Sequence, residues 1–124
     1  MKPTMLLVDD EPMIQLLLQQ IFQTDYDVHV FSNGQEALEW MYQGVIPDLA
    51  IIDIQMPEMD GYQLMEHMKS SGFFKEVPVF VLSGEETSSD RIKSLEMGAI
   101  DYLVKPFNPT ELLLRANRIL KSVS

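Results

Sequence analysis

No cysteine occurs in the sequence, so a disulfide framework, a thiolate zinc site and a cysteine nucleophile are excluded, and stability has to come from packing. The lack suits a reducing compartment. Basic residues are few: 9 Lys and Arg stand against 19 Asp and Glu, a formal net charge of −10. A field of that sign opposes direct binding to nucleic acid or to an anionic membrane. Uninterrupted apolar runs last only a few residues, well short of the roughly 20 that a membrane-spanning helix needs. The opening MKPTMLLVDDEP runs into acids rather than a signal-peptide cleavage site. No internal repeat, low-complexity tract or linker interrupts the chain. These lacks point to a soluble, cytoplasmic protein with no direct hold on nucleic acid or membrane.

What is present is enough for one core. The 124 residues, 46% of them hydrophobic, have the length of a single globular domain, which is expected to span 1–124. Apolar runs alternate with helical patterns throughout, the mark of an α/β protein with a mostly parallel sheet covered by helices. Strands are expected at Thr4 to Asp9, Asp27 to Ser32, Asp48 to Ile54, Val77 to Ser83 and Ile100 to Val104. The first, third and fourth are nearly continuous apolar runs, as central strands buried on both faces should be. The second alternates like an edge.

Helical spacing places Ile14, Leu17, Leu18 and Ile21 on one face, and Leu38, Met41, Tyr42 and Val45 on another. Pro12 suits the start of the first helix. A third helix carries Leu64, Met65 and Met68 after the turn MPEMDG. A fifth carries Leu112, Ala116, Ile119, Leu120 and Val123 after Asn108 as N-cap. The fourth, from about Ser88 to Met97, has only Ile92 and Leu95 for an apolar face and is expected to be the most weakly anchored. The nine methionines fall mostly at core spacing, so they read as gap-filling core.

Right-handed crossovers in a parallel sheet send every strand C-terminus to one edge, and ligands bind just outside it. Strand one ends in Asp9 and Asp10, strand three in Asp53, strand four in Ser83, and strand five runs into Lys105 and Pro106. Taken singly, the acid pair could simply open a helix, and Ser83 and Lys105 are ordinary turn residues. Asp53 interrupts LAIIDI, where an unpaired carboxylate is costly to bury. Their joint delivery to one rim by four strands makes a site. Carboxylates at ~4 Å repel by about 1 kcal/mol in water and about 4 near a protein surface, which a hard dication such as Mg2+, an oxygen-seeking ion that keeps several waters, relieves.

LLVDDEP, LAIIDIQMPEMDGYQLM, VFVLSGEE and GAIDYLVKPF, in that order and spacing, resemble the receiver domains of bacterial two-component response regulators over essentially the whole chain. The resemblance implies a doubly wound, flavodoxin-like (βα)5 fold with strand order 2-1-3-4-5. It implies that Asp53 accepts a phosphoryl group from a sensor histidine kinase or a histidine phosphotransfer protein. It assigns Mg2+ to Asp10, Asp53 and the backbone carbonyl of Gln55, with Asp9 acting largely through water. Lys105 and the Ser83 hydroxyl would steady the phosphoryl oxygens, and a cis Lys105-Pro106 peptide would aim the lysine. The chain would then be a regulatory domain rather than an enzyme, catalysing at most its own phosphorylation and dephosphorylation. Movement of Ser83 and inward rotation of Tyr102 would change the surface of helix four, strand five and helix five, to which a downstream effector or attached output domain responds.

The stretch IKSLEMGAIDYLVKPFNPTELLLRANRIL further resembles receivers of winged-helix transcription factors. Its Lys93, Glu96, Asp101, Glu111, Arg115 and Arg118 correspond to charges through which those receivers form a phosphorylation-linked homodimer. Ile100 departs from the acid usual there. Other readings fit less well. A haloacid-dehalogenase-type phosphatase wants an acid two residues after its nucleophile, where Gln55 stands. A flavodoxin would not meet a flavin phosphate with Asp9, Asp10 and Glu11. A pseudo-receiver, a binding module that keeps the fold without phosphorylation, is the remaining alternative.

Overall fold

The computed structural model describes residues 1–56, 58–84 and 88–123, without the side chains of Ser88, Ser122 and Val123. Pro57 of MPEMDG, Glu85 and Glu86 of SGEE, and the Val123 side chain expected on the last helix therefore lie outside the described residues. In chain order the elements are β1 Thr4–Val8, α1 Pro12–Phe22, β2 Asp27–Phe31, α2 Gly34–Met41, β3 Leu49–Asp53, α3 Gly61–Lys69, β4 Val79–Ser83, α4 Ser88–Glu96, β5 Asp101–Val104 and α5 Pro109–Val123. The five strands form one parallel sheet in the order β2-β1-β3-β4-β5. This is the expected flavodoxin-like winding, with the alternating strand β2 at an edge.

Strand alternation splits the core into two layers. Leu6, Val8, Ala50, Ile52, Val79 and Val81 meet Leu38, Met41, Leu64, Met65 and Met68 of α2 and α3. Met5, Leu7, Leu49, Ile51, Phe80 and Leu82 meet Leu18 and Phe22 of α1 and Leu112, Ala116 and Ile119 of α5. The methionines Met41, Met65 and Met68 are fully buried, as expected of core. Every residue of β3 and β4 is buried, which explains the apolar runs that lead to Asp53 and Ser83.

Helix starts are written locally. Pro12 sits at the first turn of α1. Asn33 accepts from the Glu36 N–H (2.9 Å) ahead of α2. Asp60 and Gln63 form a reciprocal capping box on α3. Asn108 accepts from the Thr110 and Glu111 N–H groups (2.9 and 3.1 Å) at the head of α5. The strand expected from Val77 begins only at Val79, because Pro78 has no N–H to give a ladder and contributes its carbonyl alone, to Ala50 N (3.0 Å).

Two expected helix faces are corrected. Helix α2 ends at Met41, so Tyr42 is 61% exposed, while the buried Ala37 fills the inward position. On α4, Ile92 and Leu95 are 54% and 49% exposed. The inward stripe is instead Asp90, Ser94 and Met97, spaced i, i+4, i+7, with Ser94 fully buried. Helix α4 closes with Gly98 at φ +101, the Gly98 N–H reaching Leu95 O and the Ala99 N–H reaching Ser94 O (both 3.0 Å). That pair of bonds is a Schellman cap, which favours glycine at the left-handed position.

Candidate functional site

Asp9, Asp53 and Lys105 lie just past or at the ends of β1, β3 and β5, in the phase of Leu7, Ile51 and Leu103. Alternation therefore sends all three to the α1/α5 side of the rim. Lys105 Nζ lies 2.8 Å from Asp9 Oδ2, 3.1 Å from Glu11 Oε1 and 3.2 Å from Asp53 Oδ2. It donates hydrogen bonds to Glu11 and Asp53. Its contact with Asp9 is an ion pair off the hydrogen-bonding direction, which leaves the buried Asp9 Oδ2 without a hydrogen-bond partner. The other oxygens are held by backbone: Asp9 Oδ1 accepts from Glu11 N (2.9 Å) and Asp53 Oδ1 from Gln55 N (3.1 Å). The Lys105-Pro106 peptide is cis.

Ser83 occupies the opposite phase. It follows Val81, whose register partner is Tyr102, so Ser83 and Tyr102 belong to the sheet face covered by α2, α3 and α4. Both are buried, and the Ser83 carbonyl accepts from Lys105 N (2.7 Å). Backbone thus joins the serine to the lysine. Tyr102 is 4% exposed, with the Arg91 guanidinium of α4 5.3 Å above its ring. The ring is therefore already inside in this structure.

Burial dominates the electrostatics. Asp53, 2% exposed, is pushed up from 3.8 to about 6 by burial and by the negative charge of Asp9, against the Gln55 N–H and Lys105. Asp9 is raised for the same first reason, with Lys105 opposing. For Lys105 burial favours the neutral amine, but Asp9 and then Asp53 and Glu11 outweigh it and raise its pKa. One ammonium pairs with three members of a cluster of four carboxylates, since Asp9, Asp10, Glu11 and Asp53 can each offer an oxygen within 4.8 Å of the others. Excess negative charge, hard oxygen donors and a buried Asp9 Oδ2 that meets only the Lys105 ammonium suit a divalent cation of the Mg2+ kind.

Glu11 stands next to the acid pair in the sequence without a role of its own in the site; only the fold brings it to Lys105. Gly61 was visible within MDG, but its reason is tertiary. A Cβ there would lie 2.5 Å from the Asp53 carbonyl oxygen and 2.7 Å from Ile54 Cα. Gly61→Ala is therefore expected to destabilise the protein by about 1–3 kcal/mol through overpacking. Urea unfolding would test this, and an unchanged midpoint would show that the α3 terminus can retreat from β3 at no cost.

Comparison with known proteins agrees with the geometry. The sequence model described as the response regulator receiver domain matches residues 5–117. The chain belongs to the response regulator receiver domain family. A probable transcriptional regulator, ycf27, of Guillardia theta is 39% identical over 121 residues, covering 97% of this chain and 46% of the relative. The chain thus spans about half the length of the curated relatives it matches. Among solved structures, a putative response regulator from Chloroflexus aurantiacus J-10-fl superposes with a TM-score of 0.91 at 34% identity, over 98% of this chain and 99% of the other. The chemotaxis response regulator CheY4 of Vibrio cholerae does so with a TM-score of 0.87 at 30% identity, over 96% and 99%. This receiver domain is a regulatory signalling module of the two-component type. No helix among its described residues is long and apolar enough to cross a membrane.

Proposed function

We propose that residues 1–124 form one receiver domain, that Asp53 takes a phosphoryl group from a sensor histidine kinase or histidine phosphotransfer protein, and that the adduct alters the α4-β5-α5 surface. The observation that carries this reading is the buried Asp53 carboxylate held between the Gln55 N–H and Lys105 Nζ beside three further acids. An oxygen of Asp53 bonds to phosphorus as the donor's P–N bond, or the P–O bond of a small acyl phosphate, breaks and its electron pair leaves with the donor. Lys105 neutralises charge on the transferred oxygens, and Ser83 donates a hydrogen bond to one of them. Asp10, Asp53 and the Gln55 carbonyl would hold Mg2+, with Asp9 behind them. Bound there, the ion offsets the negative charge of the acids and of the phosphoryl oxygens.

The reading makes the chain a phospho-accepting regulator rather than an enzyme acting on other molecules. It places the domain in the cytoplasm and gives it no nucleic-acid or membrane contact of its own. Ile92, Leu95, Ile100 and Leu114 are exposed on α4, the turn before β5, and α5, an apolar surface for an effector, an attached output domain or a phosphorylation-linked second copy. Arg115 at rest pairs with Asp101 (3.0 Å) and Glu111 (2.8 Å) of its own chain, so homodimer pairing through these charges requires an exchange of partners. A pseudo-receiver reading has no support in the acid and lysine set, which is complete. Acetyl phosphate with Mg2+ should add one phosphoryl group, read by intact mass. An unmodified protein, beside a control receiver that is modified, would favour the pseudo-receiver.

A further inference from the structure

Helix α4 has little apolar anchor beyond Met97 at its end: Ile92 and Leu95 face outward, and among its described side chains the one buried completely is Ser94. Aromatic rings from two neighbouring elements supply what fixes it. From α3, the Tyr62 hydroxyl donates to Asp90 Oδ1 at 2.8 Å, and Lys93 Nζ lies 4.1 Å from the centre of the same ring. From β5, Tyr102 lies under Arg91. Burial, then the hydrogen bond to Asp90, push the Tyr62 phenol up to about 12, so it remains a donor at neutral pH. Tyr62 also sits one residue after Gly61, where a Cβ would lie 2.5 Å from the Asp53 carbonyl oxygen. The residue thus stands between the backbone of the acceptor strand and the helix with the weakest apolar hold.

We propose that Tyr62 latches α4 in its resting position through Asp90, and that release of this latch accompanies the response to phosphoryl transfer at Asp53. The second half rests on the phosphorylation reading above; the first does not. β4 ends at Ser83 and α4 begins five residues later at Ser88, so a displacement of Ser83 toward a phosphoryl group is expected to be accompanied by movement of α4. A shifted α4 carries Asp90 away from Tyr62. Any state that lacks the bond is favoured when the bond is deleted, and a phosphoryl group that prefers that state then adds more readily. Tyr62 is a positioning residue in this scheme and touches none of the reacting atoms.

Tyr62→Phe deletes the hydroxyl and keeps the ring beneath Lys93. Amide exchange of α4 in the unphosphorylated variant should quicken about fivefold, the equivalent of about 1 kcal/mol at 1.4 kcal/mol per tenfold. Exchange in α1 and α2 should stay as in the wild type. Asp90→Ala should reproduce the effect, and the double variant should add little to either. Modification of Asp53 by acetyl phosphate should accelerate by a similar factor, which a merely structural contact would not produce. Unchanged α4 exchange in both single variants would overturn the latch. Faster exchange with modification at the wild-type rate would overturn its link to phosphoryl transfer. Failure of all the proteins, wild type included, to be modified would count against the phosphorylation reading, and the exchange result would still decide the latch.

Discussion

Asp53→Asn is expected to abolish the phosphoryl adduct and, in metal-free buffer at pH 7, to make the protein more stable than the wild type. The first effect follows from losing the carboxylate nucleophile. The second follows from the pKa of about 6 that burial imposes on Asp53 against its ordinary 3.8. An acid whose folded pKa is raised stabilises the fold fully below the unfolded value, and that contribution is lost as pH rises through the folded one. The wild type should therefore lose on the order of 2–3 kcal/mol between about pH 4 and pH 6 from this residue, at ~1.36 kcal/mol per pKa unit. The raised Asp9 adds in the same direction. The raised pKa of Lys105 carries the same sign, its contribution being lost as pH rises, but in the alkaline range, outside this window.

Mg2+ should reverse the loss, because a cation bound to the ionised acids stabilises the folded state by RT ln(1 + [L]/Kd), about 2.7 kcal/mol at a hundredfold excess. Asp53→Asn should show a flatter pH profile and little gain from Mg2+. Urea unfolding of both proteins from pH 4 to pH 7.5, with and without the ion, reads all of this at once. Parallel profiles that Mg2+ shifts equally would show that Asp53 neither bears the burial strain nor belongs to the cation site.

Lys105→Met should slow acetyl-phosphate modification of Asp53 by about 10²- to 10³-fold, the range for removing one preorganised donor from a developing oxyanion. Methionine keeps the stem and removes the charge. The same substitution strips the one ammonium from a cluster whose partners Asp9 and Asp53 are 1% and 2% exposed. Unpairing a buried acid costs about 3–5 kcal/mol, so the variant should be less stable at pH 7 and recover in mild acid, where the carboxyls take up protons. Stability measured beside the rate separates the two effects. A folded variant modified as fast as the wild type would limit Lys105 to neutralising its neighbours.

Much of the fold was legible because burial on both faces writes itself into composition. MLLV, LAII and VFVL cannot be surface segments, and their alternation with helical periods leaves few architectures. Strand order was legible only through resemblance, since nothing in an apolar run names its neighbour. The faces of α4 and the end of α2 were not legible, because periodicity in apolar residues does not mark polar positions that face inward. Asp90 and Ser94 face inward, where Tyr62, 28 residues before Asp90, waits with a hydroxyl. Tyr62 itself carried no local signal, being an ordinary aromatic after a turn.

The sequence by itself determined which groups arrive at the site: parallel strands with right-handed crossovers must end at one edge, and the residues that end them are Asp9, Asp53, Ser83 and Lys105. Tertiary structure alone decided what those groups do to one another. It put Lys105 within 3.2 Å of three carboxylates and raised the pKa of Asp53 by taking it out of water. It also divided the rim into an acidic side and a side where Ser83 and Tyr102 face α4. Charge coupling falls off over a few ångströms and desolvation depends on every neighbour, so neither can be read along a chain in which Lys105 stands 52 residues from Asp53 and 94 from Glu11.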